Sequence, residues 1–93
     1  MIVGICTIEL FLPDNRSLKD KRQALKSLMD RIKRRFNVAI AEVDAQDLWQ
    51  KTVLGVACVG NQKHYVNEVL DKVIGVIRGT PSVEITDYRL ELL

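Results

Sequence analysis

Apolar residues occupy both parities from Met1 to Leu12, in a stretch rich in Ile, Val and Thr, which predicts a central β-strand covered on part of each face. Pro13, Asp14 and Asn15 then supply turn chemistry. From Ser17 the period changes. At roughly 100° per residue, Leu18, Leu25, Met29, Ile32 and Phe36 share one arc with Ala24 and Leu28 on its flank, the stripe of an amphipathic helix. Ser17, three positions before Asp20, has the spacing of a helix cap, so the helix is expected to run from Ser17 to Phe36. Val38 to Val43 is too short for a helix and reads as a second strand.

Asp44 to Gln50 is a polar hairpin connection with Leu48 and Trp49 as its apolar members. Lys51 to Gly60 again has apolar residues on both parities, a second central strand in which Gly55 marks a close approach or a bulge. Asn61 is placed to cap a second helix, whose Tyr65, Val66, Val69, Leu70, Val73, Ile74 and Ile77 recur at helical spacing until Gly79, Thr80 and Pro81 stop it. Val83 to Leu93 is the last strand. Its apolar phase shifts between Ile85 and Tyr88, which predicts a bulge.

The order strand, helix, strand, strand, helix, strand predicts an α+β, ferredoxin-like βαββαβ domain spanning residues 1–93. Its sheet has four antiparallel strands, with both helices on one face. The first and third strands then lie in the centre, and the face opposite the helices carries more Val, Ile and Leu than water favours. Such a patch predicts self-association, most simply as a homodimer.

Composition narrows the function classes. A chain of 93 residues, 47% hydrophobic and 28% charged, is that of one globular domain with a single core. No apolar run approaches the ~20 residues of a membrane span, and the first dozen residues lack a basic start or a small-residue cleavage site, so a cytoplasmic protein is expected. Cys6 and Cys58, each inside a strand-like run, read as buried thiols, and His64 as a surface residue. No metal site or cofactor is expected from these ligands. There is no nucleophile elbow, P-loop or dinucleotide fingerprint, so the balance is against an enzyme. A metal-dependent nuclease built on Asp14 rests on one ordinary turn aspartate and is the weakest reading.

Charge changes the picture more. The net charge is +2, yet Ser17 to Phe36 alone carries +6, leaving −4 on the rest of the chain. Lys19, Arg22, Lys26 and Lys33 fall within about 60° of one another on the helical wheel, beside the apolar stripe. Arg34 points away from the core. Basic residues on a solvated helix, with Arg31, Lys33, Arg34 and Arg35 near its C-terminal end, have a purely structural explanation in water and the helix dipole. The functional reading of Lys19, Arg22, Lys26, Lys33 and Arg34 is an anion surface for nucleic-acid phosphate.

The run SLKDKRQALKSLMDRIKRRFNVAIAEVDAQDLWQ, followed by LGVACVG, resembles the YlxP-like family of small bacterial proteins of unknown function. The likeness runs from end to end, and AEVD-x-x-D-x-WQ is its most specific part. The resemblance implies a ferredoxin-like fold, no established activity, and a genomic setting among translation and ribosome-maturation genes. That setting favours RNA or a ribosomal particle as partner, by association. The positions that match the family are Lys19, Lys21, Arg22, Arg35, Phe36, Glu42, Asp44, Asp47, Trp49 and Gln50, none with a role that the resemblance supplies.

The family-like segment holds a candidate functional loop of Glu42, Asp44, Asp47, Trp49 and Gln50. Its carboxylates have the spacing to converge on a divalent cation. The preferred reading is structural: Lys21, near the apolar arc, reaches the second strand and pairs with Glu42 or Asp44. Trp49 is either a lid packed over the core edge, the expectation adopted for a lone Trp beside Leu48, or an exposed stacking platform. The expected function is therefore a non-catalytic RNA- or ribosome-associated accessory protein binding through its basic helix. The alternative is a homo-oligomeric interaction or ligand-sensing module using the open sheet face.

Overall fold

The computed structural model describes residues 1–93 as β1 (Ile2–Phe11), α1 (Leu18–Arg35), β2 (Ala39–Asp44), β3 (Lys51–Gly60), α2 (Lys63–Arg78) and β4 (Glu84–Leu92). The strands form one antiparallel sheet in the order β2-β3-β1-β4. This is the expected α+β, ferredoxin-like arrangement. The molecule is only 17 Å deep along its shortest axis, room for one sheet and one helix layer. No helix is long and apolar enough to cross a membrane.

Alternation along the central strands divides the sheet into two faces. Cys6, Ile8 and Leu10 of β1 and Leu54, Val56 and Cys58 of β3 are buried under the helices, while Ile5, Thr7, Glu9 and Phe11 and their β3 neighbours point the other way. One core joins the buried strand residues to Leu25, Leu28 and Ile32 of α1 and to Val66, Leu70, Val73, Ile74 and Ile77 of α2. Both cysteines are free and buried. The strand register shifts opposite Glu9 and Leu10, leaving Thr86 as the extra residue of a bulge in β4, within the interval the apolar phase predicts.

Ser17 caps α1 as its spacing requires: its Oγ accepts from the Asp20 N–H at 3.1 Å, and Asp20 Oδ2 accepts from the Arg16 N–H at 3.0 Å. Two expectations are corrected here. The buried line of α1 is Lys21, Leu25, Leu28 and Ile32, with Leu18, Met29 and Phe36 only partly covered. The stripe is rotated towards a residue that a hydrophobic wheel counts as polar. Asn61 does not cap α2; Gln62 holds that position with no side-chain hydrogen bond, so the helix relies on its apolar face.

Candidate functional site

The loop between β2 and β3 is organised by a lysine. Lys21 is 1% exposed, and its Nζ donates to the carbonyl oxygens of Ala45 (2.8 Å), Gln46 (3.0 Å) and Lys51 (3.2 Å) while lying 3.0 Å from Glu42 Oε2. An ammonium has three N–H donors, so four oxygens satisfy it fully. The same Glu42 oxygen accepts from the buried Thr52 hydroxyl at 2.5 Å. Burying a charge costs several kcal/mol per ion unless it is paired and hydrogen-bonded, and both conditions are met. Lys21 therefore fixes the main chain of the loop from beneath.

The pairing expected from sequence thus selects Glu42. Asp44 is exposed and turns back on its own loop, its Oδ1 accepting from the Ala45 N–H at 2.7 Å. Asp47 is exposed at the loop tip. Glu42 and Asp44 are separately engaged, and no three acidic, His or Cys side chains converge as cation ligands. Ala45 adopts a left-handed φ of 60°, which costs a non-glycine residue about 1 kcal/mol or more. The bonds to its N–H and its carbonyl hold it there.

From the other side the loop is tied to the β1–α1 turn. Gln50 Nε2 donates to the carbonyls of Pro13 and Asn15, both at 3.2 Å; Asn15 Nδ2 donates to the Trp49 carbonyl at 3.3 Å; and the Leu12 N–H donates to the Gln50 carbonyl at 2.8 Å. These bonds hold the backbone of residues 49 and 50 and leave the indole outside. Trp49 is 55% exposed, so the expectation of a packed lid is wrong. With Leu48 at 51% and Phe11 at 37% exposure it lines an open groove of about 640 Å³, completed by Asp47, Gln50 and Lys51. Phe11 belongs to this surface although the family-like motif omits it. Its parity in β1, opposite that of Leu10, is the signal that places it there.

On α1, Lys19, Arg22, Lys26, Lys33 and Arg34 are all exposed. The first four stand at steps of three, four and seven residues, one stripe about 21 Å long at 1.5 Å per residue. Lys26 is engaged by Asp30 at 3.4 Å. Lys19, Arg22, Lys33 and Arg34 make no ion pair. The remaining basic residues of the helix have local roles: Lys21 in the loop, Arg31 Nη2 donating to Thr80 Oγ1 at 2.7 Å, and Arg35 over the Phe36 ring at 5.4 Å.

The thiols offer no nucleophile near neutral pH. Burial, with a smaller contribution from the negative charge of Asp71, pushes Cys6 up from 9.0 to about 11, and burial alone raises Cys58.

What the geometry assembles on this ferredoxin-like frame is a pair of unlike surfaces, a basic helix face and a hydrogen-bonded loop beside an apolar groove. The chain belongs to the family described as a protein of unknown function (DUF503), whose pattern matches residues 3–90. It is 36% identical over 90 residues to the uncharacterized protein YlxP of Bacillus subtilis (strain 168), across 97% of this chain and 98% of that protein. Among solved structures, 98% of the chain superposes with a TM-score of 0.56 and 16% identity on an amidase of the hydantoinase/carbamoylase family from Burkholderia phymatum. It spans 28% of that chain, a likeness of fold alone. The designed protein Ferredog-Diesel aligns over 98% of this chain and 84% of its own, with a TM-score of 0.49 and 15% identity.

Proposed function

We propose that the protein is a non-catalytic RNA-associated accessory factor that holds phosphates, on RNA alone or in a ribosomal particle, along the exposed face of α1. The observation that carries this reading is the set Lys19, Arg22, Lys33 and Arg34, exposed cations without carboxylate partners on a helix whose opposite side is locked into the core. Like charges crowded on one element repel one another, and a polyanion relieves that cost. A phosphate-binding face positions RNA without reading its sequence.

Binding to poly-U across a salt series tests it. Four phosphate contacts give a slope of log K against log salt of roughly −3, at about −0.7 per contact for single strands. Arg22→Glu combined with Lys33→Glu is the informative variant, because neither side chain has a partner to lose. The expected result is weaker binding with a flatter slope and an unchanged circular dichroism spectrum. Binding as tight as the parent's at low salt removes the reading.

A second reading rests on the open sheet face. There Ile5, Ala39, Ala41, Val43, Gly55 and Ala57 surround a shallow apolar hollow of about 310 Å³, beside a Val59 that is 57% exposed. Two such faces stacked in a homodimer would cover it and create an interaction or ligand-sensing module. Sedimentation equilibrium at micromolar concentration is the check, and a strict monomer sinks it.

A further inference from the structure

We propose that the groove of Phe11, Leu48 and Trp49 is the docking site for a basic protein segment that carries one large apolar anchor beside a lysine or arginine. The first ground is the rigidity of the groove. Three large apolar side chains stand in water on a backbone held by Lys21 from below and by Gln50 and Asn15 from the side, with Ala45 kept in a left-handed conformation. A surface ordered beforehand loses little conformational freedom when a partner arrives, and Trp is among the residues enriched at binding hot spots. The indole itself makes none of the hydrogen bonds that shape the loop.

The second ground is charge, and it selects the occupant. On the open face next to the groove, Glu9 of β1 lies directly across from Asp87 of β4. Like charges in that position destabilise a sheet. Asp44, opposite Val53 in the adjoining strand pair, joins them around a second hollow of about 370 Å³ that also holds Arg89. Glu84 faces Phe11 across the strands, and Asp47 stands in the groove wall. Lys51, the groove's own cation, is held 3.6 Å from Glu9 Oε1, which also accepts from the Thr86 hydroxyl at 3.2 Å, while Asp87 has no such partner. Five carboxylates against Lys51, Arg89 and Arg78, which lines an adjoining hollow with Asp87, leave the surface acidic. It therefore repels a phosphate backbone and attracts a cation, which separates it from the basic face of α1 in chemistry as well as in place.

The third ground is spacing. Phe11 and Glu9 project from the same face of β1 two residues apart, about 7 Å along a strand. An extended partner segment that sets its apolar side chain against Phe11, Leu48 and Trp49 therefore brings a side chain two residues away over Glu9 and Asp87. A lysine or arginine there relieves their repulsion.

The test is selection of binders from a random dodecapeptide display library on the intact chain, with counter-selection on a Leu48→Ser/Trp49→Ala variant. Enriched peptides are then synthesised and titrated against the parent. Because Trp49 is the chain's one tryptophan, its emission reports occupancy of the groove directly. The expected peptides carry a large apolar residue with Lys or Arg within two positions, shift Trp49 emission to the blue at saturation, and lose at least about tenfold in affinity against Glu9→Gln/Asp87→Asn. That second variant keeps the tryptophan and the shape of both side chains, so it decides the matter even if the first variant folds poorly. Failure to enrich any loop-dependent peptide overturns the proposal, as do peptides without a basic residue or peptides indifferent to Glu9→Gln/Asp87→Asn. A Trp49 shift produced by raising the concentration of the chain alone assigns the groove to a second copy, and one produced by poly-U assigns it to base stacking; either result also overturns it.

Discussion

Lys21 and Trp49 exchange the places their chemistry suggests, the cation inside and the aromatic outside, and each has a measurable consequence. Lys21→Met removes the ammonium's bonds to three main-chain carbonyls and leaves the Glu42 carboxylate without its cation. Breaking a buried pair from one side costs about 3–5 kcal/mol. Trp49→Ala removes a side chain more than half in water, and its cost should stay below about 1 kcal/mol, close to ordinary surface positions. Urea midpoints for the two variants should differ widely in that order. The reverse order would mean that the indole carries the loop and that Lys21 does not. Lys21 was legible in part, since its place beside the apolar arc narrowed its partner to Glu42 or Asp44, and the structure selects Glu42. Its three carbonyl partners were not legible, because main-chain oxygens leave no mark in residue types.

At the scale of elements, the seating of α2 on β1 depends on Gly4. A methyl group there would overlap Val66 Cγ1 and lie 2.7 Å from Leu70 Cδ1, two buried residues of the helix. Gly4→Ala should therefore cost about 1–3 kcal/mol, as overpacking does. Gly75, inside α2, is the contrast: an added methyl meets nothing within 4 Å, so Gly75→Ala should stabilise by about 0.5–1 kcal/mol through backbone entropy. Thermal or urea melts of both variants give the signs directly. Helix α1 was readable in its cap and its extent, whereas its buried line was displaced because one member is a lysine. The cap of α2 was misplaced by one residue, since Gln62 takes the position without offering a bond.

Across the whole molecule, charge is sorted by element and the core carries two thiols. Cys6 contributes a pH dependence of definite sign. Its folded value is raised to about 11 from an ordinary 9.0, so the protonated thiol favours the folded state and the contribution is complete below pH 9. Stability should fall as pH rises from there towards about 11, and Cys6→Ala should remove that part of the fall. Urea midpoints measured across the window for parent and variant isolate it from other groups that titrate in alkali. The same scale holds the segregation that gives the chain two unlike surfaces, +6 on the Ser17 to Phe36 segment and −4 elsewhere.

The sequence by itself determined the order of elements, the antiparallel sheet, the capped basic helix, the β4 bulge and the burial of both cysteines. These follow from periodicity, caps and turn residues, which act over a few positions and are written in residue types. Only the tertiary structure decided that Phe11 joins Leu48 and Trp49 in one groove, that Glu9 faces Asp87, and that Lys21 lies under a loop formed more than twenty residues later. Those juxtapositions are set by strand register and by where one backbone meets another. Register is a property of the paired sheet, and no single stretch of the chain contains it.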